Sequence, residues 1–198
     1  MTALRRPLIE APSITIQGAQ PLARVFHRDT RGFLIETLRS DDTSVNGSRF
    51  QMSYSSLTRP GEFRDRDRWH VHRMQTDRFV VVLGEMILAL LDDRTESPTF
   101  GRLELIRLLG SPFSLDSSSD PMPEQTYLVP IPPGVLHCIG NLSATAFLLQ
   151  NYPTNLYDAS DEGRIPFTER PIGEEKAPFS WADVEEPMSS REGPWPRS

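Results

Sequence analysis

At 198 residues, with 37 % hydrophobic and 24 % charged side chains, the chain holds enough material for one sizeable globular domain and is not of disordered composition. A formal net charge of −6 and a pI of about 5.3 argue against general affinity for nucleic acid or an anionic membrane. Cys138 is the only cysteine, so no intrachain disulfide can form, and no stretch approaches the ~20 apolar residues of a membrane-spanning helix.

Residues 1–20 show no apolar core of the signal-peptide kind, so a cytoplasmic protein is expected. They alternate weakly at Ile14 and Ile16 and read as an extended N-terminal arm ending in one strand. Two short strand-like runs from Arg24 to Glu36 flank a polar turn with Gly32, which predicts a hairpin. A loop over 41–48 precedes a polar strand over Phe50–Leu57 that carries Tyr54, and an arginine- and aspartate-rich connection follows over Thr58–Asp67. Phe79–Leu83, a turn at Gly84-Glu85 and Met86–Leu91 read as a second hairpin, its second arm nearly all apolar as in a strand buried on both faces. Strands are expected again over Arg102–Leu109, Thr126–Ile131, Val135–Ile139 and Ala144–Asn151, with a serine- and proline-rich loop over 110–124. After Tyr152 the period of two is lost. Asp158–Ser198 reads as coil with one helical turn near Trp181.

With 18 prolines and 12 glycines between these runs, the chain is expected to be all-β, a double-stranded β-helix or jelly roll with a small-molecule site inside. One domain is expected over residues 1–186, with a poorly ordered tail over 187–198.

The chemistry concentrates in Arg68-Trp69-His70-Val71-His72. In a strand His70 and His72 point to the same face, and two inward imidazoles call for a metal, a proton-transfer role or a polar interior. His70-x-His72 with Asp77 and Gly84, and Pro132-x-Gly134-x-x-His137 with Asn141, resemble the two cupin motifs, in which histidines and a carboxylate converge on a metal. On that resemblance His70, His72, Asp77 and His137 would hold a divalent metal. Arg64 and Thr126 replace the glycines that usually open the motifs.

A second set of motifs is more specific. Asp29-x-Arg31-Gly32-x-x-x-Glu36, Asp92-x-Arg94-x-x-Ser97-Pro98-Thr99-Phe100-Gly101, Ile131-Pro132-Pro133-Gly134-x-x-His137 and Tyr157 before Glu162 resemble, in order, the dTDP-4-dehydrorhamnose 3,5-epimerase family. The resemblance spans about residues 20–170 and implies a cupin-fold homodimer that needs no metal or other cofactor. It implies a nucleotide-sugar substrate, His70 as base with His72 assisting, and Tyr157 as acid. By the same resemblance Asp183 orients the base and Arg31 and Glu36 contact substrate; the family's phosphate-contacting arginine is not in its place before His70, so Arg66, Arg68, Arg73 or Arg78 is expected to substitute for it, Arg68 and Arg78 foremost, with His137 as a further substrate contact. The chemistry is coherent: a 4-keto group acidifies the neighbouring C–H bonds, so epimerisation needs a base, an acid on the other face and a counter-charge for the enolate.

The departures are as informative. Asp77 stands where the family has the lysine that stabilises the enolate, and Lys176, the only lysine, is remote in sequence. Leu34 replaces a phenylalanine that helps hold the nucleotide base. The scaffold is retained while the electrostatics are rewritten, as in an isomerase of different regiochemistry; the histidine pair is also similar to that of sugar-nucleotide 3,4-ketoisomerases. The two alternatives are the metal-dependent cupin and a catalytically silent sugar-nucleotide binder.

Overall fold

The computed structural model describes residues 6–42, 50–113 and 122–184, so the expected tail over 187–198 lies outside the described residues, as do parts of the loops at 41–48 and 110–124. The described residues form strands joined by turns, with three short 3-10 turns and no helix long and apolar enough to cross a membrane. The strands are β1 (Ile9–Glu10), β2 (Leu22–Asp29), β3 (Gly32–Ile35), β4 (Tyr54–Thr58), β5 (Phe63–Arg64), β6 (Arg68–His72) and β7 (Asp77–Leu83). They continue as β8 (Glu85–Asp92), β9 (Leu103–Leu109), β10 (Gln125–Ile131), β11 (Val135–Gly140), β12 (Phe147–Asn151) and β13 (Glu162–Pro166).

Two sheets face each other as a jelly roll. One runs β1-β9-β8-β11-β6-β13, with β5 also on β11, and the other runs β3-β2-β10-β7-β12-β4. The β2–β3 hairpin forms as its turn chemistry predicts, pairing Asp29 with Gly32. The hairpin expected across Gly84 does not. β7 pairs with β10 and β12, whereas β8 pairs with β9 and β11, so Gly84 is a corner at which the chain changes sheets. The physical reason is crowding: Gly84 adopts φ +76°, and a Cβ there would lie 2.1 Å from the Ala146 carbonyl oxygen. Only glycine passes this close to another backbone in the left-handed region.

Strand β8 is apolar throughout because both of its faces are covered. Met86, Leu88 and Leu90 join the core between the sheets, while Ile87, Ala89 and Leu91 face an outer cluster with Trp69, Cys138, Phe167 and Phe179. The segment after β13, expected as loose coil, is therefore a packed cover over one sheet. The 3-10 turn at Trp181–Asp183 sits where a helical turn was expected. Ile14 and Ile16 are buried in the core without being in a strand; the N-terminal strand is β1, paired parallel to β9. Asp92 explains the motif around it: its buried carboxylate accepts from Arg94 Nε at 2.8 Å and from the hydroxyls of Ser97 and Thr99 at 2.6 Å, fastening the β8–β9 turn.

Candidate functional site

Alternation along β6 sends Trp69 into the outer apolar cluster and leaves His70 and His72 on the inner face. Pairing then assembles the rest. β11 places His137 directly opposite His70, and β13 places Glu162 opposite His72 and Arg164 opposite His70. The imidazole centroids of His70 and His72 lie 4.6 Å apart, and those of His70 and His137 4.8 Å apart. These side chains adjoin a cavity of about 430 Å³ whose wall includes His70, His137, Glu162, Arg164 and Arg64 from one sheet, with Tyr54, Phe79 and Leu149 from the other.

His70 Nε2 lies 2.9 Å from Glu162 Oε1, a close but poorly aligned contact. Glu162 is held in turn by Arg164 at 2.9 Å, and Arg164 also pairs with Asp65, whose backbone adopts φ +65°. Burial first, then the positive potential of His137, Arg164 and His72, pushes His70 far below the ordinary imidazole range. The ring is thus unprotonated near neutral pH. Glu162 beside it suits the imidazolium that forms once a proton is taken.

Behind the cavity wall lies a polar cluster around Asp77, which is 1 % exposed. Its Oδ1 accepts from Gln75 Nε2 at 2.9 Å and Asn151 Nδ2 at 2.8 Å, and its Oδ2 lies 3.5 Å from Nε2 of both His72 and His137. Burial opposes ionisation of Asp77, but His137 and His72 outweigh it and hold the carboxyl well below its usual range. His72 moves the other way. Burial lowers it, yet Asp77 and then Asp161, 3.2 Å from Nδ1, raise it overall. Gln75 Nε2, 3.1 Å from His72 Nε2, suits a neutral ring; two carboxylates within 3.5 Å outweigh one amide.

The structure therefore gathers His70, His72, Asp77 and His137, and leaves other expected residues elsewhere. Tyr157 is 71 % exposed and does not line the cavity, because β12 ends at Asn151 and the chain leaves the sheet before reaching it. Asp183 lies in the outer 3-10 turn, where its backbone carbonyl accepts from the Arg6 N–H; the carboxylate beside His70 is Glu162. Arg31 pairs with Asp29 in the hairpin turn, Glu36 with Arg39, and Arg68 with its neighbour Asp67, all largely exposed. Arg78 is fully buried and its Nε donates to the Tyr152 carbonyl, so it braces the chain after β12, and it is not among the residues lining the cavity.

The four residues expected to hold a metal are engaged with one another and with neighbouring side chains. Asp77 has spent one oxygen on two amides and interposes the other between two imidazoles, while His70 Nε2 faces Glu162. No group of three or more His, Cys, Asp or Glu among the described residues is arranged to hold a metal ion.

Reading along the chain missed Tyr54, Arg64, Glu162 and Arg164 as residues that line the same cavity as His70. Strand β13 reads Glu-Gly-Arg-Ile-Pro, with neither alternation nor β-propensity, and only its pairing with β6 makes it a strand. Arg64 sits in the connection before β6, whose short strand β5 pairs with β11.

No family model matches the chain. It is 36 % identical over 142 residues to a probable low-salt glycan biosynthesis epimerase of Haloferax volcanii, spanning 70 % of this chain and 80 % of that protein. It is 28 % identical over 168 residues to a spore coat polysaccharide biosynthesis protein of Bacillus subtilis, spanning 84 % and 96 %. Among solved structures, a dTDP sugar isomerase of Desulfovibrio desulfuricans superimposes with a TM-score of 0.67 at 26 % identity, covering 86 % of this chain and 95 % of the other. A 3'-monoepimerase of Streptomyces bikiniensis bound to dTDP-quinovose gives 0.63 at 21 % identity over 86 % and 83 %, a likeness of fold.

Proposed function

Because the chain belongs to the dTDP-4-dehydrorhamnose 3,5-epimerase family, of which it is a divergent member, we propose that it epimerises or isomerises a nucleotide-linked 4-keto-6-deoxyhexose. The reaction begins with removal of the proton next to the keto group. One observation carries this reading: an unprotonated His70 on the wall of a sugar-sized cavity, with Glu162 at 2.9 Å ready to receive the charge it acquires.

Asp77 in the lysine position does not oppose the chemistry as a free carboxylate would. It is buried among His72, His137, Gln75 and Asn151, and its charge is answered there. The counter-charge for the enolate is assigned to Arg64. Its guanidinium reaches Thr58 Oγ1 at 3.1 Å and the Leu57 carbonyl at 3.0 Å, lines the cavity, and forms no ion pair with a described carboxylate. Arg164, by contrast, is already shared between Asp65 and Glu162. No metal or other cofactor enters the scheme.

The protein is read as a cytoplasmic homodimer. The β2–β3 hairpin leaves Val25 and Leu34 exposed beside Arg31 and Glu36, which suits a second copy that shares the nucleotide with them. The test is solvent exchange: incubation with dTDP-4-keto-6-deoxyglucose in D2O should place deuterium next to the keto group, read by proton NMR. His70→Gln, folded by circular dichroism, should lose that uptake by at least about 100-fold. Equal uptake by the variant would refute His70 as the base.

A further inference from the structure

An exposed arginine on a connection between strands is free to sample many rotamers, so a guanidinium that answers an enolate charge has to be held at the cavity wall. The first support for Arg64 is its own pair of hydrogen bonds: Nε donates to Thr58 Oγ1 at 3.1 Å and Nη2 to the Leu57 carbonyl at 3.0 Å. Both acceptors stand where β4 ends and the connection to β5 begins. The guanidinium therefore goes wherever that corner goes.

The corner is fixed from the other sheet, by a residue that the sequence motif around His137 singles out. Asn141 follows β11 directly and is fully buried. Its Nδ2 donates to the Thr58 carbonyl at 3.1 Å and to the Thr145 carbonyl at 2.9 Å, while its Oδ1 accepts from the Ser143 N–H at 3.0 Å and the Ser143 hydroxyl at 2.8 Å. Its backbone N–H donates to the Glu62 carbonyl and its own carbonyl accepts from the Gly61 N–H, each at 3.0 Å. One residue thus grips the connection at Thr58, Gly61 and Glu62, and β5 continues the attachment by pairing Phe63 with Gly140 and Arg64 with Ile139. Both amide protons and both acceptor positions of the side chain are used within the protein, and Asn141 is not among the residues lining the cavity. Strand β11 therefore sets two things at once: His137 beside the base and, four residues on, the corner that carries Arg64.

We propose that Asn141 is a positioning residue for the reaction, holding the β4–β5 connection so that Thr58 and Leu57 present the Arg64 guanidinium to the enolate oxygen; this rests on the reading of the site as an epimerase or isomerase with Arg64 as the counter-charge. A connection arginine braced in this way takes over the task that Asp77 cannot perform. The enolate charge grows only as the proton leaves carbon, so a displaced Arg64 slows proton removal and leaves substrate binding nearly unchanged.

The test is a double-mutant cycle on deuterium uptake from D2O into dTDP-4-keto-6-deoxyglucose at saturating substrate. Asn141→Ser withdraws the amide from the Thr58 carbonyl, Thr58→Val removes only the hydroxyl that accepts from Arg64, and Arg64→Met removes the guanidinium itself. Arg64→Met should slow uptake by about 100-fold. Asn141→Ser and Thr58→Val should each slow it by at least about tenfold with KM within about threefold. In the Arg64→Met background the same two changes should cost less than about twofold, because no guanidinium is left to misplace. A residue with only a structural role would lower the rate by the same factor in both backgrounds. Thr58→Val leaves the Asn141 contacts in place, so it tests the last link even if Asn141→Ser does not fold by circular dichroism. Equal factors in the two backgrounds, an unchanged rate in Thr58→Val, or a loss confined to KM would each overturn the assignment. The two readings fail differently. Absence of uptake in the unaltered protein overturns the reading of the site and Asn141 together, whereas normal uptake with equal factors in both backgrounds overturns Asn141 alone.

Discussion

Replacing Asp77 with leucine removes the charge about which the inner polar cluster is arranged. The side chain is 1 % exposed and interacts with four neighbours: amide donors from Gln75 and Asn151 at 2.8–2.9 Å, and two imidazoles at 3.5 Å. Each amide keeps a second contact, with His72 Nε2 or with the Tyr54 hydroxyl, so neither is fully orphaned. The main cost is two hydrogen bonds to a charged acceptor and the loss of one of the two counter-charges beside His72, together about 3–5 kcal/mol. For a domain of this size that is a fall of roughly 6–20 °C in the midpoint of thermal unfolding. The deficit has a pH signature. His72 is raised in the folded state, so its contribution is fully present below the ordinary value of 6.5 and lost as pH rises through the raised one. Without Asp77 that rise shrinks, and the difference between the two proteins should be larger at pH 5.5 than at pH 9. Urea titrations followed by circular dichroism at both pH values measure it. A deficit under about 1 kcal/mol at both, or one larger at pH 9, would refute the cluster as described.

His70 carries the opposite sign. Its folded-state affinity for a proton is depressed, so the unfolded chain binds a proton that the native one refuses, and stability should fall by about 1.4 kcal/mol per unit between pH 6 and 5. His70→Phe should flatten that slope in the same urea titrations; an unchanged slope would assign it to another group. At the sheet-changing corner, Gly84→Ala should cost at least about 3 kcal/mol, read from the thermal midpoint or from loss of soluble protein. Gly101→Ala is the comparison. It has a similar φ of +75° but nothing within 4 Å of the added carbon, so it should cost only about 1–2 kcal/mol of backbone strain.

The all-β architecture was legible because its signals are local. Short β-branched runs, turn residues at Gly32 and Pro132-Pro133-Gly134, and the unbroken apolar stretch now seen as β8 each report a strand whatever lies beside it. The histidine pair was legible for the same reason, since a spacing of two in any strand places both rings on one face. The motif around Asp92 pointed to the right family, and in the structure it fastens the β8–β9 turn.

What only the tertiary structure decided are the residues that meet across strands. Nothing near Gly84 distinguishes a hairpin from a corner, because the atoms that forbid a side chain there belong to Ala146 and Phe147. Glu162 reaches His70 from 92 positions away through a strand that has no strand-like sequence, whereas the family resemblance pointed to Asp183. Tyr54 rather than Tyr157 faces the cavity because β4 pairs with β12 while the chain leaves the sheet after Asn151. Local alternation determines which face a side chain takes. Which side chains share that face depends on register and on sheet crossing, and both are settled by contacts distant in sequence.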